Sequence, residues 1–297
     1  MRYDPAQLTA LTAIVRHGSF DLAAARLGVT PSAVSQRIRA LEEQAGTALV
    51  VRSQPCEATR AGMVLVRHAE NVALLEAQVT AHLGASGNDT EQPVIRLAVN
   101  ADSLATWLVP ALSKVPDVIW DLVIDDQDHA ADWLRRGEVS AAVSGNPGPV
   151  PGCDSTKLGS MRYVATASPA YMTRWFPDGL TREALRVAPL MAFNAKDRLQ
   201  HRWITHATGE RLSPPTHRIA STHAFVDAAL AGIGWGMNPE PLVRSHLQSG
   251  NLLPLAPDMP LDVPLYWQAS RQMAPALKPL NRAIRDATAT RLQQIIT

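Results

Sequence analysis

The stretch LGVTPSAVSQRIRALE, residues 27–42, predicts one helix with two different faces. Val34, Ile38 and Leu41 recur at i, i+4 and i+7, which is the spacing of an apolar stripe that packs inward. The roughly opposite face carries Ser32, Ser35, Gln36 and Arg39. A polar stripe of this kind is typical of any solvated helix. The neighbouring elements therefore have to decide whether it contacts a partner.

Two further helices precede this one. The first is expected over residues 5–16, and the second over residues 19–28, with Ser19 as its N-cap and a glycine at its end. Thr30 and Pro31 open the third helix, because threonine caps well and proline is tolerated in a first turn. Three short helices with a tight turn between the second and third predict a helix-turn-helix unit. ALVVRSQPCEAT, residues 48–59, follows as a short β-hairpin and completes a winged unit.

This unit predicts binding to double-stranded DNA, because a helix-turn-helix places the start of its second helix in the major groove. Glutamine can pair with adenine, serine can bond to bases or phosphates, and arginines can hold phosphates or enter a minor groove. Residues 1–60 contain seven arginines, no lysine and five acidic residues, so the motif supports DNA binding more than the charge does. The predicted DNA-binding residues are Ser19, Thr30, Pro31, Ser32, Ser35, Gln36, Arg37, Arg39 and Arg52.

A long helix without proline is expected from Thr59 to Leu83. Its apolar seam consists of Leu65, Val72 and Val79, with Leu75 beside it. Seven-residue spacing is typical of a helix that packs along another helix, and we expect the same helix of a second subunit as the partner. ASGNDTEQP, residues 85–93, is polar and ends in proline, which predicts a hinge.

Beyond the hinge, short β-rich runs alternate with helices, which predicts an α/β sheet with a substantial parallel component. The pattern occurs twice, as expected for a bilobed small-molecule binding domain. The predicted fold is an N-terminal winged helix-turn-helix, all-α with a small β wing, then a long linker helix and a C-terminal bilobed α/β domain. The predicted boundaries are 1–60 for the winged unit, 61–92 for linker helix and hinge, and 93–297 for the two lobes (93–162 with 265–297, and 163–264).

Two groups of polar residues follow strands of the α/β region. The turn VNADSLATW, with Asn100, Asp102 and Ser103, is expected to present helix N–H groups to a ligand carboxylate, although plain helix capping is an alternative. The acidic cluster of WDLVIDDQDH suits an amine or guanidinium, although a solvated acidic loop is an alternative. The candidate ligand-binding residues are Asn100, Asp102, Ser103, Asp125, Asp126, Asp128, Ser144, Ser221 and Thr222.

Several classes of protein are not favoured by the sequence. Cys56 and Cys153 match no metal or redox spacing, and His201 and His206 have no acidic partner at metal spacing. GIGWGM lacks the spacing of a dinucleotide loop, and no catalytic motif occurs, so we expect neither an enzyme nor a cofactor. The N-terminus does not have the pattern of a signal peptide, and no run has the length of a membrane span. We therefore expect a soluble cytoplasmic protein that does not contact membranes.

SFDLAAARLGVTPSAVSQRIRALEEQAGTALVVRSQP, followed by the linker and the two lobes, resembles the LysR-type transcriptional regulators. VNADSLATW, IDDQDH, RRGEVSAAVS, PGCDSTKLGSMRYV and LDVPLYWQ resemble their ArgP/LysG subgroup, some members of which are also described as IciA. The resemblance implies an effector domain similar to periplasmic binding proteins, and a homodimer or homotetramer bound to promoter half-sites. Contact with RNA polymerase is a further possibility.

The subgroup responds to lysine or arginine and governs export of basic amino acids, so a basic amino acid is the implied effector. The wing VVRSQPCEATR departs from the family, because its basic patch is shorter than usual. An alternative function is a solute-binding or sensor module with a different effector and no role in export.

Overall fold

The computed structural model describes residues 2–83, 92–125 and 130–294. The chain forms two compact units, one comprising Met1–Ile95 with Asp117–Asp121 and the other Arg96–Pro116 with Leu122–Thr297. Most of the predicted hinge, and the candidate ligand residues Asp126 and Asp128, lie outside the described residues. The domain and lobe boundaries expected from the sequence stay predictions.

The first unit is a winged helix-turn-helix followed by a long helix. Its elements are α1 (Pro5–His17), α2 (Phe20–Leu27), α3 (Pro31–Ala45), β1 (Val50–Val51), β2 (Glu57–Ala58) and α4 (Arg60–His82). The two predicted N-caps are confirmed: the Ser19 hydroxyl accepts from N–H groups of α2, and the Thr30 hydroxyl accepts from that of Ala33. Each of the three short helices ends at a glycine in the left-handed conformation. Local capping therefore sets these boundaries.

The predicted apolar stripe of α3 forms the centre of this unit. Val34, Ile38 and Leu41 are each 0% exposed and pack in one core with α1, α2 and β1. Leu65 of α4 belongs to the same core. The first position of the predicted intersubunit seam therefore already has its packing partners within its own unit, whereas Val79 further along α4 is 59% exposed.

The wing is fastened to the start of α4. β1 and β2 pair antiparallel, and the Glu42 carboxylate of α3 accepts from the Leu49 N–H at 2.8 Å. The first turn of α4 lies close to the backbone just before β1, so that a Cβ on Gly62 would be 2.0 Å from the Leu49 carbonyl oxygen. Only glycine permits that approach of helix and strand.

The second unit is built from strands alternating with short helices. Its elements are β3 (Val94–Val99), α5 (Ala101–Ser103), a π-helical stretch (Leu104–Leu108), α6 (Val109–Leu112), β4 (Ile119–Ile124), α7 (Ala130–Arg135), β5 (Ala141–Ser144), β6 (Cys153–Ala167), α8 (Pro169–Trp175), α9 (Arg182–Val187), β7 (Leu190–Ala192), α10 (Leu199–Thr208), β8 (Thr216–Arg218), α11 (Thr222–Leu230), β9 (Gly236–Pro239), α12 (Glu240–Gln248), β10 (Leu253–Pro254), β11 (Leu261–Ser270), a 3₁₀ turn (Arg271–Met273) and α13 (Lys278–Arg291).

The main sheet has seven strands in the order β10-β6-β11-β5-β3-β4, with β9 also beside β6. β3 pairs parallel with β5, and β7 pairs parallel with β8 in a separate two-stranded sheet. The long strands β6 and β11 instead pair antiparallel with each other, and β6 pairs antiparallel with β9 and β10. The main sheet is therefore mixed, with a parallel pair at β3 and β5 and antiparallel pairs around β6 and β11.

No helix within the described ranges is long and apolar enough to cross a membrane. The same ranges contain no group of three or more His, Cys, Asp or Glu side chains arranged to hold a metal ion.

Candidate functional site

A cavity of about 240 Å³ lies within the second unit. The ends of β3 and β4 meet at it, since the Asp125 N–H donates to the Val99 carbonyl at 3.1 Å. The side chains and backbone that line it are those of Asn100, Ala101, Asp102, Ile124, Asp125, Tyr163, Phe193, Asn194, Lys196, Asp197, Arg198, Leu199, Arg202, Thr222, Phe225, Met237, Asn238 and Pro239. A cavity with apolar walls and several polar groups is typical of a small-molecule site.

Asp102 accepts hydrogen bonds from two side chains at this cavity. The Tyr163 hydroxyl donates to its Oδ2 at 2.6 Å, and the Thr222 hydroxyl donates to its Oδ1 at 2.8 Å. Both donors satisfy a carboxylate, and hydrogen bonds to a charged acceptor are stronger than those between neutral groups. Asp102 thus provides a fixed negative charge at the start of α5, where plain helix capping was the alternative.

Asp125 provides a second carboxylate directly after β4. Its Oδ2 accepts from the indole N–H of Trp133 at 2.9 Å. That contact holds the side chain at the cavity. Two carboxylates on neighbouring strand ends suit a ligand with amine or guanidinium groups.

A basic segment lines the cavity at the start of α10. Asp197 fixes its backbone, because Oδ2 accepts from the Phe193 N–H at 2.9 Å and Oδ1 accepts from the Leu199 N–H at 2.9 Å. The side chains of Lys196, Arg198 and Arg202 are exposed at the cavity. The pocket therefore contains both signs of charge, contributed by different elements.

The structure brings four of the candidate ligand-binding residues together. Asn100, Asp102, Asp125 and Thr222 line the cavity, and they come from the ends of β3 and β4 and from the first residue of α11. These two strand ends and one helix start are far apart in sequence. The ligand-binding role of these four residues stays a prediction.

The remaining described candidates do not line the cavity. Ser103 is fully buried, since one helical step turns it about 100° away from Asp102. Ser144 is buried in β5, where its hydroxyl accepts from the Asn146 N–H at 3.0 Å. Ser221 is the N-cap of α11, and its hydroxyl accepts from the Ala224 N–H. Ser144 and Ser221 thus have local structural partners.

Several lining residues were absent from the sequence-based prediction: Tyr163, Phe193, Asn194, Lys196, Asp197, Arg198, Arg202, Phe225 and Asn238. The run FNAKDR, residues 193–198, carries a partial signal, because it places Asn, Lys, Asp and Arg immediately before a helix. Such a polar run normally predicts only a turn and a helix start.

The predicted DNA-binding residues lie at the start of α2, on α3 and its N-cap, and in the wing. Thr30, Pro31, Ser32, Gln36, Arg39 and Arg52 are exposed, whereas Ser19, Ser35 and Arg37 are half-buried. The guanidinium carbon of Arg52 lies 4.9 Å from the centre of the Phe20 ring at the start of α2. This cation–π contact joins the wing to the helix-turn-helix.

The chain combines a helix-turn-helix unit with a unit that contains a ligand-sized cavity. This combination is typical of transcriptional regulators that bind DNA and a small molecule with the same chain. The profile described as bacterial regulatory helix-turn-helix protein, lysR family, matches residues 5–63, and the LysR substrate binding domain matches residues 88–289. The chain therefore belongs to the LysR family of DNA-binding transcriptional regulators.

Individual relatives confirm the predicted ArgP/LysG subgroup. The chain is 45% identical over 284 residues to the HTH-type transcriptional regulator LysG of Mycobacterium bovis, covering 96% of this chain and 93% of that one. The crystal structure of ArgP from Mycobacterium tuberculosis is 44% identical, with a TM-score of 0.79, and covers 99% of this chain and 100% of that one.

A third relative is full-length LysG from Corynebacterium glutamicum with bound effector Arg. It is 36% identical, with a TM-score of 0.66, and covers 98% of this chain and 99% of that one. LysG of Mycobacterium bovis is named as a transcriptional regulator, in agreement with the prediction that the chain is not an enzyme.

Proposed function

We propose that this regulator senses a basic amino acid, lysine or arginine, in the cavity of its second unit. The observation that carries the proposal is the pair of carboxylates, Asp102 and Asp125, that line one cavity. Their negative charge favours ammonium and guanidinium groups over neutral or acidic side chains. The arginine bound to the related LysG supports this choice.

The ligand-dependent signal is proposed to reach DNA held by α3 and the wing. In this scheme Gln36 and the serines of α3 contact bases, whereas Arg39 and Arg52 contact phosphates. The chain acts in the cytoplasm as a homodimer or homotetramer on promoter DNA and controls genes of amino-acid export or metabolism. Exposed apolar side chains of α4, such as Val79, are available for the subunit contact.

Isothermal titration calorimetry of the full-length chain with arginine, lysine, glutamate and norleucine tests the effector. We expect heat of binding with arginine or lysine only. Asp102→Asn and Asp125→Asn should each weaken binding about 30-fold or more, because each leaves a ligand cation without its counter-charge. Asp258→Asn is the matched control, because Asp258 is exposed and outside the cavity. No binding of either basic amino acid would refute the proposal.

An acidic effector is the second candidate. The observation in its favour is the set of basic side chains at the cavity, Lys196, Arg198 and Arg202. An acidic ligand would bind these cations but would be repelled by Asp102 and Asp125. Heat of binding with glutamate, strengthened in Asp102→Asn, would establish this candidate in place of the first.

A further inference from the structure

Three basic side chains line the pocket at the start of α10, and binding of a cationic group does not explain their presence there. Lys196, Arg198 and Arg202 all line the cavity, and none forms an ion pair with another residue in the part of the chain that the structure describes. Exposed arginines without acidic partners among the described residues can bind an anionic group. The cavity therefore has three basic side chains as well as the carboxylates of Asp102, Asp125 and Asp197.

The backbone of this segment is held in place by its own acidic residue. Both oxygens of Asp197 are used by backbone N–H groups, one before the turn and one at the first residue of α10. Arg198 is the N-cap residue of α10, and Arg202 follows at i+4, so the two side chains emerge from the same side of the helix. Two guanidinium groups one turn apart present several N–H donors to one region of the cavity.

Lysine and arginine each carry an α-carboxylate besides their two cationic groups. Placed at the start of α5, that carboxylate would face the Asp102 charge, which is fixed there by Tyr163 and Thr222. Guanidinium groups bind carboxylates bidentately. We infer that Arg198 and Arg202 bind the α-carboxylate of the effector, with Lys196 adding positive charge. The inference rests on the proposed function and replaces the sequence-based expectation that the turn at residues 100–103 binds this carboxylate.

The pocket then recognises amino acids and rejects the corresponding amines. Decarboxylated arginine, which is agmatine, retains the guanidinium and amine groups that Asp102 and Asp125 attract. It lacks the group that Arg198 and Arg202 bind, and it leaves their positive charges close to a dication. Arg198 and Arg202 are thus specificity-determining residues for the carboxylate end of the ligand.

Calorimetric titration of the full-length chain with arginine and agmatine tests this inference. The wild-type chain should bind arginine about 30-fold or more tightly than agmatine. Arg198→Met and Arg202→Met should each weaken arginine binding about 10-fold or more and leave agmatine binding unchanged or stronger. Arg211→Met is the matched control, since Arg211 is exposed and outside the cavity.

The outcomes separate the two proposals. Equal affinity of the wild-type chain for arginine and agmatine would overturn the carboxylate contact and leave the sensing of a cation in place. Arginine preference that persists in both methionine variants would overturn the assignment to Arg198 and Arg202. Absence of binding by arginine and by lysine would refute the proposed function and the inference with it. Lysine with its decarboxylated form, cadaverine, repeats the same comparison for the second effector.

Discussion

Helix α3 and the ligand pocket differ in how far apart along the chain their parts lie. The core face of α3 consists of Val34, Ile38 and Leu41, three residues within two turns of one helix. Asp102 in the pocket depends on Tyr163 and Thr222, which are 61 and 120 residues away. Helical periodicity in the sequence predicts the core face of α3 directly. No local sequence pattern predicts the contacts of Asp102, because they form only when three separate elements have folded together.

The largest expected effect concerns the buried face of α3. Ile38→Ala removes a side chain that is 0% exposed, so the winged unit should lose about 2–5 kcal/mol of unfolding free energy. Urea unfolding followed by circular dichroism measures the loss. Arginine binding should persist, because the pocket belongs to the other compact unit.

Gln36→Ala on the exposed face of α3 is the matched control. It should change the unfolding free energy by less than about 0.5 kcal/mol and instead alter the DNA sequence preference. Equal losses of stability in the two variants would contradict the assignment of the two faces.

A smaller effect is expected at the Asp102 carboxylate of the pocket. Tyr163→Phe and Thr222→Val each remove one donor to this charge and should each lower the unfolding free energy of the second unit by about 1–3 kcal/mol. Because both donors act on one carboxylate, the double variant should deviate from additivity. Thermal and urea unfolding of the two single variants and the double variant measure the coupling.

Tyr266→Phe serves as the control for this pair of variants, since Tyr266 is half-buried in β11 and makes no hydroxyl hydrogen bond with the described residues. Strict additivity of the Tyr163 and Thr222 changes would mean that the two hydrogen bonds are not coupled to each other through Asp102.

The difference between local contacts in α3 and distant contacts in the pocket explains what the sequence could predict. In the winged unit, N-caps, terminal glycines and apolar periodicity are all local, so helix bounds and the core face of α3 could be predicted closely. In the second unit, Asp102 and Asp125 could be found because each lies within three residues of the end of a recognisable strand. Parallel strands bring such ends to one edge of a sheet.

The basic side of the pocket could not be found in this way. Arg198 and Arg202 belong to a segment that follows the three-residue strand β7, and their approach to Asp102 depends on the packing of the whole unit. The sequence also gave no sign that Asp102 accepts from Tyr163, and without that contact its carboxylate could be taken for a helix cap. Charge along a chain does not specify which charges share a cavity.

The smallest expected effect concerns Arg52 of the wing, which contacts a residue of another element. Arg52 packs over the Phe20 ring, a contact that contributes about 0.5–1 kcal/mol at exposed sites. Phe20→Leu keeps every charge but removes the ring, so it should weaken DNA binding slightly without changing the salt dependence. Arg52→Met removes the charge itself and should reduce the slope of log K against log salt by about 1.

DNA titrations followed by fluorescence anisotropy across a salt series measure both slopes, with Arg26→Met, an exposed arginine of α2, as the control. An unchanged slope in Arg52→Met would mean that Arg52 only packs on Phe20 and does not contact phosphate. A reduced slope in Arg52→Met, with weaker binding but an unchanged slope in Phe20→Leu, would mean that the ring positions a phosphate-binding arginine. The wing would then resemble the pocket, because its binding group would be held by a residue from another element.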